Sequence, residues 1–505
     1  MNQKRIGILL SYLNLILGMV VNLFMTPLLI KSLGDVDYSL YKVMQSFAGP
    51  LAMFHLGIST IVTRSIVQFS TDESYTKREK QNTMALALLA SGIMAALVSA
   101  AGIAMCTAIP GLYGETYSAE SVALGQQIFL VFMASTVFHM MTDAFSGCMV
   151  GHEKFAVTSG VQLIRTLVKM LLWFVLLKVG MGVLAVTLVD LGISLGTFLF
   201  SVGYTVFFLR ETPRLYYFDG KKLWEIVVFG AAILLQAIVN QVNNNVDNII
   251  LGAVVDDPSI ITMYSSALAI YAIYNSLIAV IANFFLPKAT RLIQKNATGE
   301  ELTDFVIGPG RFQAILAVAC ILGFALFGRN FITIWIGDKY MDAYWVTLML
   351  MIPVTIPLVE NTMISVLDAS LKRIYRSVAL VIMSVLNVIV SLLLVSRLGF
   401  WGAAIGTVAS LIIGHGIMMN VYYAKTFKLQ VGRMFLSIFK GILPAGLAAG
   451  LLCLPLVLFL ADTLVHFLVK CACFLLFYGV FLLLFGLNTS EKDTILKMLR
   501  IRRGS

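Results

Sequence analysis

The chain has 505 residues, 59% of them hydrophobic and only 12% charged, with a mean hydropathy of +0.91. A soluble domain is about 45–50% apolar and about 25% charged, so a soluble enzyme, a disordered scaffold and a secreted disulfide scaffold are excluded. Lys and Arg total 36 against 26 Asp and Glu, a net charge of +10; in a soluble protein this would suggest nucleic acid, but in a membrane protein it points first to loop topology.

The first element follows Met1-Asn2-Gln3-Lys4-Arg5. The apolar stretch 6–30 is too long for the core of a signal peptide, and no small-residue cleavage site follows it, so a retained first helix is expected. A bilayer core of about 30 Å needs about 20 helical residues. By that measure the spans in chain order are 6–30, 39–63, 83–108, 121–147, 156–178, 182–209, 225–250, 261–285, 310–330, 344–367, 377–396, 401–423, 436–460 and 465–487. Such runs argue against a membrane β-barrel, whose strands alternate apolar and polar over about ten residues. The expected fold is therefore an all-α polytopic membrane protein of about fourteen transmembrane helices. Pro27, Pro353 and Pro357 lie near or inside spans, which is tolerated where freed backbone groups face protein or a water-filled cavity. The six cysteines (Cys106, Cys148, Cys320, Cys453, Cys471 and Cys473) sit in or beside apolar runs without CxxC spacing, and neither a disulfide nor a metal site is inferred from them.

With the N-terminus in the cytoplasm, the segments on that side hold 26 Lys and Arg, the opposite side holds 5, and 5 lie within spans or at their edges. This asymmetry predicts cytoplasmic N- and C-termini. The loops are too short for a soluble catalytic domain, so function is expected between the helices.

The segment Arg210–Lys222 separates six spans from eight. Asn22–Gly34 can be laid on Asn240–Gly252 without gaps, with acidic turns after both (Asp35 and Asp37; Asp256 and Asp257), which equates span one with span seven. The expected organisation is an N-lobe (1–210), a cytoplasmic linker (211–224), a C-lobe (225–424) and two further helices with a tail (425–505). Paired bundles of this kind are common in transporters, with the substrate path between the repeats.

Several polar residues lie where lipid would reject them. In span seven Gln236, Asn240, Asn243, Asn244, Asp247 and Asn248 share one helical face, and in span one Asn14, Gly18, Asn22 and Thr26 repeat at four. Such stripes either bond between helices, at about 0.6 kcal/mol per pair, or line water. Asp247 is the acid read as able to carry a proton, against a plain helix-end role. Asp143, Asp190, Glu360 and Asp368 read singly as structural, although Glu360, Ile364 and Asp368 step along one face. Arg165 and Lys169 repel each other at a spacing of four; they either snorkel to the interface or face an anion. With Lys42 and Arg311 they would make a cationic site for phosphate. His55, His139, His415 and His466 read as packing residues without metal spacing. Gly402, Gly406, Ser410 and Gly414 read as a close helix-packing stripe.

Leu28–Tyr41, Gly151-His-Glu-Lys-Phe155, Leu163–Thr166, Asn243–Gly252, Leu286-Pro-Lys288, Gly310-Arg-Phe-Gln313, Phe327–Tyr340, Pro357–Asn361 and Tyr422-Tyr423 together resemble the bacterial oligosaccharide flippases of the multidrug/oligosaccharidyl-lipid/polysaccharide exporter superfamily. The likeness runs nearly the whole chain in order. One departure concerns the charge of the lumen: the family is expected to carry Gln at Glu360 and near Asp368.

The resemblance implies two six-helix lobes, two extra C-terminal helices shaping a groove for a lipid tail, and alternating access. The implied substrate is an undecaprenyl-diphosphate-linked oligosaccharide, moved from the inner to the outer leaflet of the cytoplasmic membrane. On that reading Lys42, Arg165, Lys169 and Arg311 meet the diphosphate, and Asn14, Asn22, Gln236, Asn240 and Asn244 meet sugar hydroxyls. Asp247, Glu360 and Asp368 carry ion coupling to a proton or sodium gradient; no other cofactor, no enzyme activity and no nucleic-acid partner is expected. The chain is expected to be a monomer that can associate with other polysaccharide-assembly proteins. The alternatives are a multidrug or organic-cation antiporter of the same superfamily, and a membrane-embedded polysaccharide polymerase or glycosyltransferase.

Overall fold

In hydrocarbon, backbone N–H and C=O groups have no water to bond, so the chain must satisfy them internally. The computed structural model describes residues 3–52, 59, 62–63, 66–67, 76–114, 117–221, 223–224, 245–279, 285–370, 372–489 and 491–492, and every regular element among them is helical. Twelve of these helices are long and apolar enough to cross a membrane. The protein is a multi-pass membrane protein.

The contacts divide the chain into two units, Met1–Ser265 with Val395–Gly399, and Ser266–Leu394 with Phe400–Ser505. The first unit contains α1 (Gln3–Ala52), α2 (Lys77–Tyr113), α3 (Ala119–Gly151), α4 (Phe155–Lys178) and α5 (Val183–Gly203). It also holds α6 (Asn245–Val254), so it reaches past the 211–224 segment. The expected spans 6–30 and 39–63 meet in α1, which is broken at Gly34. There φ is 75° and ψ 177°, a backbone region that only glycine enters cheaply. α2 opens with a capping box, Thr76 and Glu79 satisfying each other's backbone N–H groups. α1 packs along α3 and α4, and α3 packs along α2 and α5. α6 lies close against the first two helices: a Cβ at Gly252 would come within 2.8 Å of Val43 and 2.9 Å of Tyr113.

In the second unit α9 (Gly299–Trp335) is the axis. Packed on it are α10 (Asp342–Val359), α14 (Val431–Phe439), α15 (Ile442–Phe459) and α16 (Leu464–Phe481). Two expected spans are interrupted here. Span 344–367 ends as a helix at Val359 and resumes as α11 (Thr362–Ala369), so Glu360 and Asp368 are not on one continuous helix. Pro357 lies just before the break and lacks the N–H its turn needs. Span 436–460 is split between α14 and α15 at Gly441, where φ is 79° and a Cβ would meet the Phe485 carbonyl oxygen at 2.6 Å. The small-residue stripe from Gly402 to Gly414 does pack closely: a Cβ at Gly406 would strike Ser391, and one at Gly414 would strike Met383. Both lie on α12 (Arg373–Leu398).

Arg311 holds the C-terminal helices to α9, which corrects its expected role as a diphosphate ligand. Its side chain is 2% exposed, and all five N–H groups of its guanidinium are engaged. Nε donates to Glu491 Oε1 at 2.6 Å and Nη2 to Glu491 Oε2 at 3.1 Å. Nη1 donates to the Ser437 and Lys440 carbonyls at 2.7 and 3.0 Å, and Nη2 to the Gly486 carbonyl at 2.7 Å. No donor remains for a ligand.

On the first unit, the polar segment after α5 is fastened to the start of α2. Gln81 Nε2 donates to Thr212 Oγ1 at 2.9 Å, and Tyr216 Oη donates back to Gln81 Oε1 at 2.8 Å. Asn82 Oδ1 accepts from the successive backbone amides of Tyr216 and Tyr217 at 2.8 and 3.1 Å. Glu211 pairs with Lys80 and lies 3.1 Å from His152 Nε2. Burial alone would push the Glu211 carboxyl up, but hydrogen bonds from His152 and Lys80 outweigh it and hold it below the ordinary carboxylate value.

Two predictions follow from these contacts. Arg311→Leu leaves Glu491 buried and unpaired, a cost of about 3–5 kcal/mol; thermal unfolding in detergent will show a large loss for it, and also a loss for Arg311→Lys, whose three donors cannot serve five acceptor contacts. A lowered folded-state value means that Glu211 contributes stability above the ordinary carboxylate range and loses it as pH falls through the lowered value. The melting-temperature gap between wild type and Glu211→Gln will therefore be present at pH 7 and close progressively in acid.

Candidate functional site

A group of basic and aromatic side chains gathers inside the first unit, contributed by α1, α3, α4 and α5. The sequence predicts Arg165 and Lys169 one turn apart on α4, and the structure places Lys42 of α1 near them. Lys169 Nζ lies 2.8 and 3.1 Å from the two carboxylate oxygens of Asp190 on α5. Its ammonium also stands 4.2 Å from the centre of the Trp173 ring, a cation–π contact. Trp173 is fixed by its own Nε1 donating to the Val186 carbonyl at 3.1 Å, and Tyr41 meets its ring edge-on at 6.3 Å. Lys42 Nζ stands 5.5 Å from the Tyr38 ring and 5.8 Å from the Tyr41 ring, and the charges of Lys42 and Lys169 repel each other.

Arg165 reaches α3, where Nη2 donates to His139 Nε2 at 2.7 Å. Ser194 Oγ lies 3.1 Å from the same nitrogen and donates to the Asp190 carbonyl. His139, read from the sequence as packing, is thus the direct partner of a site arginine. Asp190, read as structural, is the carboxylate that both Arg165 and Lys169 feel. Spacing along α4 could not reveal either partner, because both come from other helices.

Further along the α1–α4 contact, Asn14 Nδ2 donates to Gln162 Oε1 at 3.3 Å, and Asn14 Oδ1 accepts from Thr166 Oγ1 at 3.1 Å. Ser11 and Ser159 pair at 2.9 Å. Asn14 therefore bonds between helices, while Asn22 is exposed and its carbonyl caps Thr26 at 2.7 Å. Gln236, Asn240, Asn243 and Asn244 lie outside the described residues.

The C-terminal end of the span-seven stripe is buried. Asp247 is 3% exposed and accepts from Tyr264 Oη at 2.7 Å. Asn248 donates to Ser46 at 3.3 Å and accepts from Ser265 at 3.1 Å. Of the two readings left open for the stripe, interhelical bonding describes these two residues, which join α1, α6 and α7 (Pro258–Ala279).

In the second unit Glu360 is 2% exposed at the break after α10, beside the Asn420 amide and within the field of Arg376. His415 and Tyr423 feel the same arginine, and Tyr423 also feels Glu360. Asp368 lies on α11, partly exposed. The same unit contains an apolar cavity of about 330 Å³, lined by Val318, Ile321, Leu322, Ile352, Thr355, Ile356, Phe435, Phe439 and Leu443. α9, α10 and the start of the C-terminal extension form its walls.

Solved structures share this fold. The chain is similar to the lipid II flippase MurJ in an inward closed conformation, with a TM-score of 0.73 and 15% identity over 94% of this chain and 97% of that one. It is also similar to a multidrug resistance MATE family transporter of the MOP superfamily in an inward-facing conformation. That match has a TM-score of 0.64 and 15% identity over 83% of this chain and 99% of the other. No curated protein matches. The polysaccharide biosynthesis protein family matches residues 6–293. These residues are more than half of the sequence and include every member of the cationic cluster, and the chain belongs to that family.

Proposed function

We propose that the protein is a lipid-linked oligosaccharide flippase. It moves an undecaprenyl-diphosphate-linked glycan from the inner to the outer leaflet of the cytoplasmic membrane by alternating access, with both termini in the cytoplasm. The observation that carries this reading is the cluster of Lys42, Arg165 and Lys169. A diphosphate cannot enter hydrocarbon without partners, because burying an unpaired charge costs many kcal/mol. Two lysines and an arginine on packed helices supply what its hydration shell would otherwise give, the arginine as a planar fork and the lysines as point charges.

The polyprenyl tail needs no polar partner and can stay in lipid, the apolar cavity beside Phe435 and Phe439 suiting a short part of it. Glycan hydroxyls suit the amides of Asn22, Gln236, Asn240 and Asn244, ahead of Asn14, which bonds between helices. Glu360, enclosed at a helix break, is the acid we assign to ion coupling, ahead of Asp247, which is tied to Tyr264, and of Asp368. The longer share of this chain that resembles the flippase fold, 94% against 83%, also supports a flippase over a multidrug antiporter. An antiporter for organic cations would want an acidic site, whereas the cluster in the first unit is basic.

Replacing Arg165 and Lys169 together by Ala will abolish or strongly reduce surface polysaccharide at equal protein level. Normal export in the double variant would remove both residues from the site. Restored drug resistance without glycan export, in a strain lacking its own transporters, would favour the antiporter.

A further inference from the structure

We propose that Asp190 is a built-in counter-anion of the cationic site, bound to Lys169 while the site is empty and displaced by the substrate's diphosphate. This inference rests on the diphosphate reading above. Both Asp190 oxygens engage the one ammonium, at 2.8 and 3.1 Å. The pair is not sealed: the Lys169 side chain is 31% exposed and that of Asp190 15%. The ammonium therefore keeps exposed surface for a second anion to reach. Arg311 shows the contrast, with every donor engaged and 2% exposure.

Three positive groups, Lys42, Arg165 and Lys169, stand close together, and Lys42 and Lys169 repel. His139 bonds Arg165 without cancelling its charge. Asp190 is the acid that acts on both Arg165 and Lys169, with Asp143 one turn beyond His139 on α3. Three cations in a membrane with no anion would be costly to keep folded. A displaceable carboxylate lowers that cost in the empty state. It also competes with the diphosphate, weakening its hold and returning to Lys169 when the lipid leaves. The site keeps a net positive charge with Asp190 in place, so it still attracts a diphosphate.

A merely structural ion pair and a competing counter-anion make opposite predictions. Inorganic pyrophosphate is the probe, titrated calorimetrically into the purified full-length protein at fixed ionic strength. Asp190→Asn and Asp190→Ser are compared with wild type, each checked by melting temperature. A displaced competitor predicts about fivefold tighter pyrophosphate binding in whichever variant keeps its fold, the scale of a partly exposed pair. Asp190→Glu restores the wild-type affinity. The gain vanishes when Asp190→Asn is compared on a Lys169→Gln background, since the anion then has no ammonium to contest. In cells, the tighter variant exports glycan more slowly because release is slowed. Unchanged or weaker binding in a folded Asp190 variant overturns the counter-anion role while leaving the diphosphate reading intact. Loss of fold in both neutral variants also overturns it, marking the pair as structural. Failure of wild type and every variant to bind pyrophosphate sinks the diphosphate reading itself.

Discussion

Hydrocarbon offers a buried charge no partner, and each ionic group within the helices reflects a response to that fact. A charged side chain at membrane depth survives only if protein or water replaces its hydration. Arg311 represents one response. Its five donors meet a carboxylate and three carbonyls, and through them one side chain draws α9, the end of α14 and the segment after α16 together. The charge is neutralised completely, and the product is rigidity.

The cations of the first unit represent another. Lys169 has a carboxylate and an indole face, Arg165 an imidazole, and Lys42 two phenol rings. Aromatic faces and a neutral histidine soften a positive charge without removing it. The same residue types that elsewhere in the chain would close an ion pair leave a residual field here. The proposed diphosphate site rests on that difference between completed and incomplete compensation.

Hydropathy made the helical fold and the approximate spans legible, because the length of an apolar run is a local property. The helix breaks were less so. Pro357 marked a weak point, but did not show that α10 ends at Val359 and the chain resumes as a helix at Thr362. At Gly441 the sequence shows an ordinary glycine, and only the Phe485 carbonyl pressing against it explains the split. Arg165, Lys169 and Lys42 stood out as charges in apolar segments, and the structure brings them together. Arg311 stood out for the same reason but does another job, since its partners lie more than a hundred residues away in sequence. Asp247 and Asn248 formed a helical stripe with their neighbours, yet a stripe cannot say whether its face meets water or another helix. Asp190 and His139 stood out only as polar residues within apolar spans, because their partners come from a neighbouring helix.

The segment between Glu211 and Leu223 is anchored twice. Gln81 and Asn82 hold it as far as Tyr217, and Leu223 packs against Leu86 and Ala90. Between these points lie Phe218, largely exposed, and then Asp219, Gly220 and Lys221. A longer or shorter chain in that short gap would bulge or tighten without unseating either anchor.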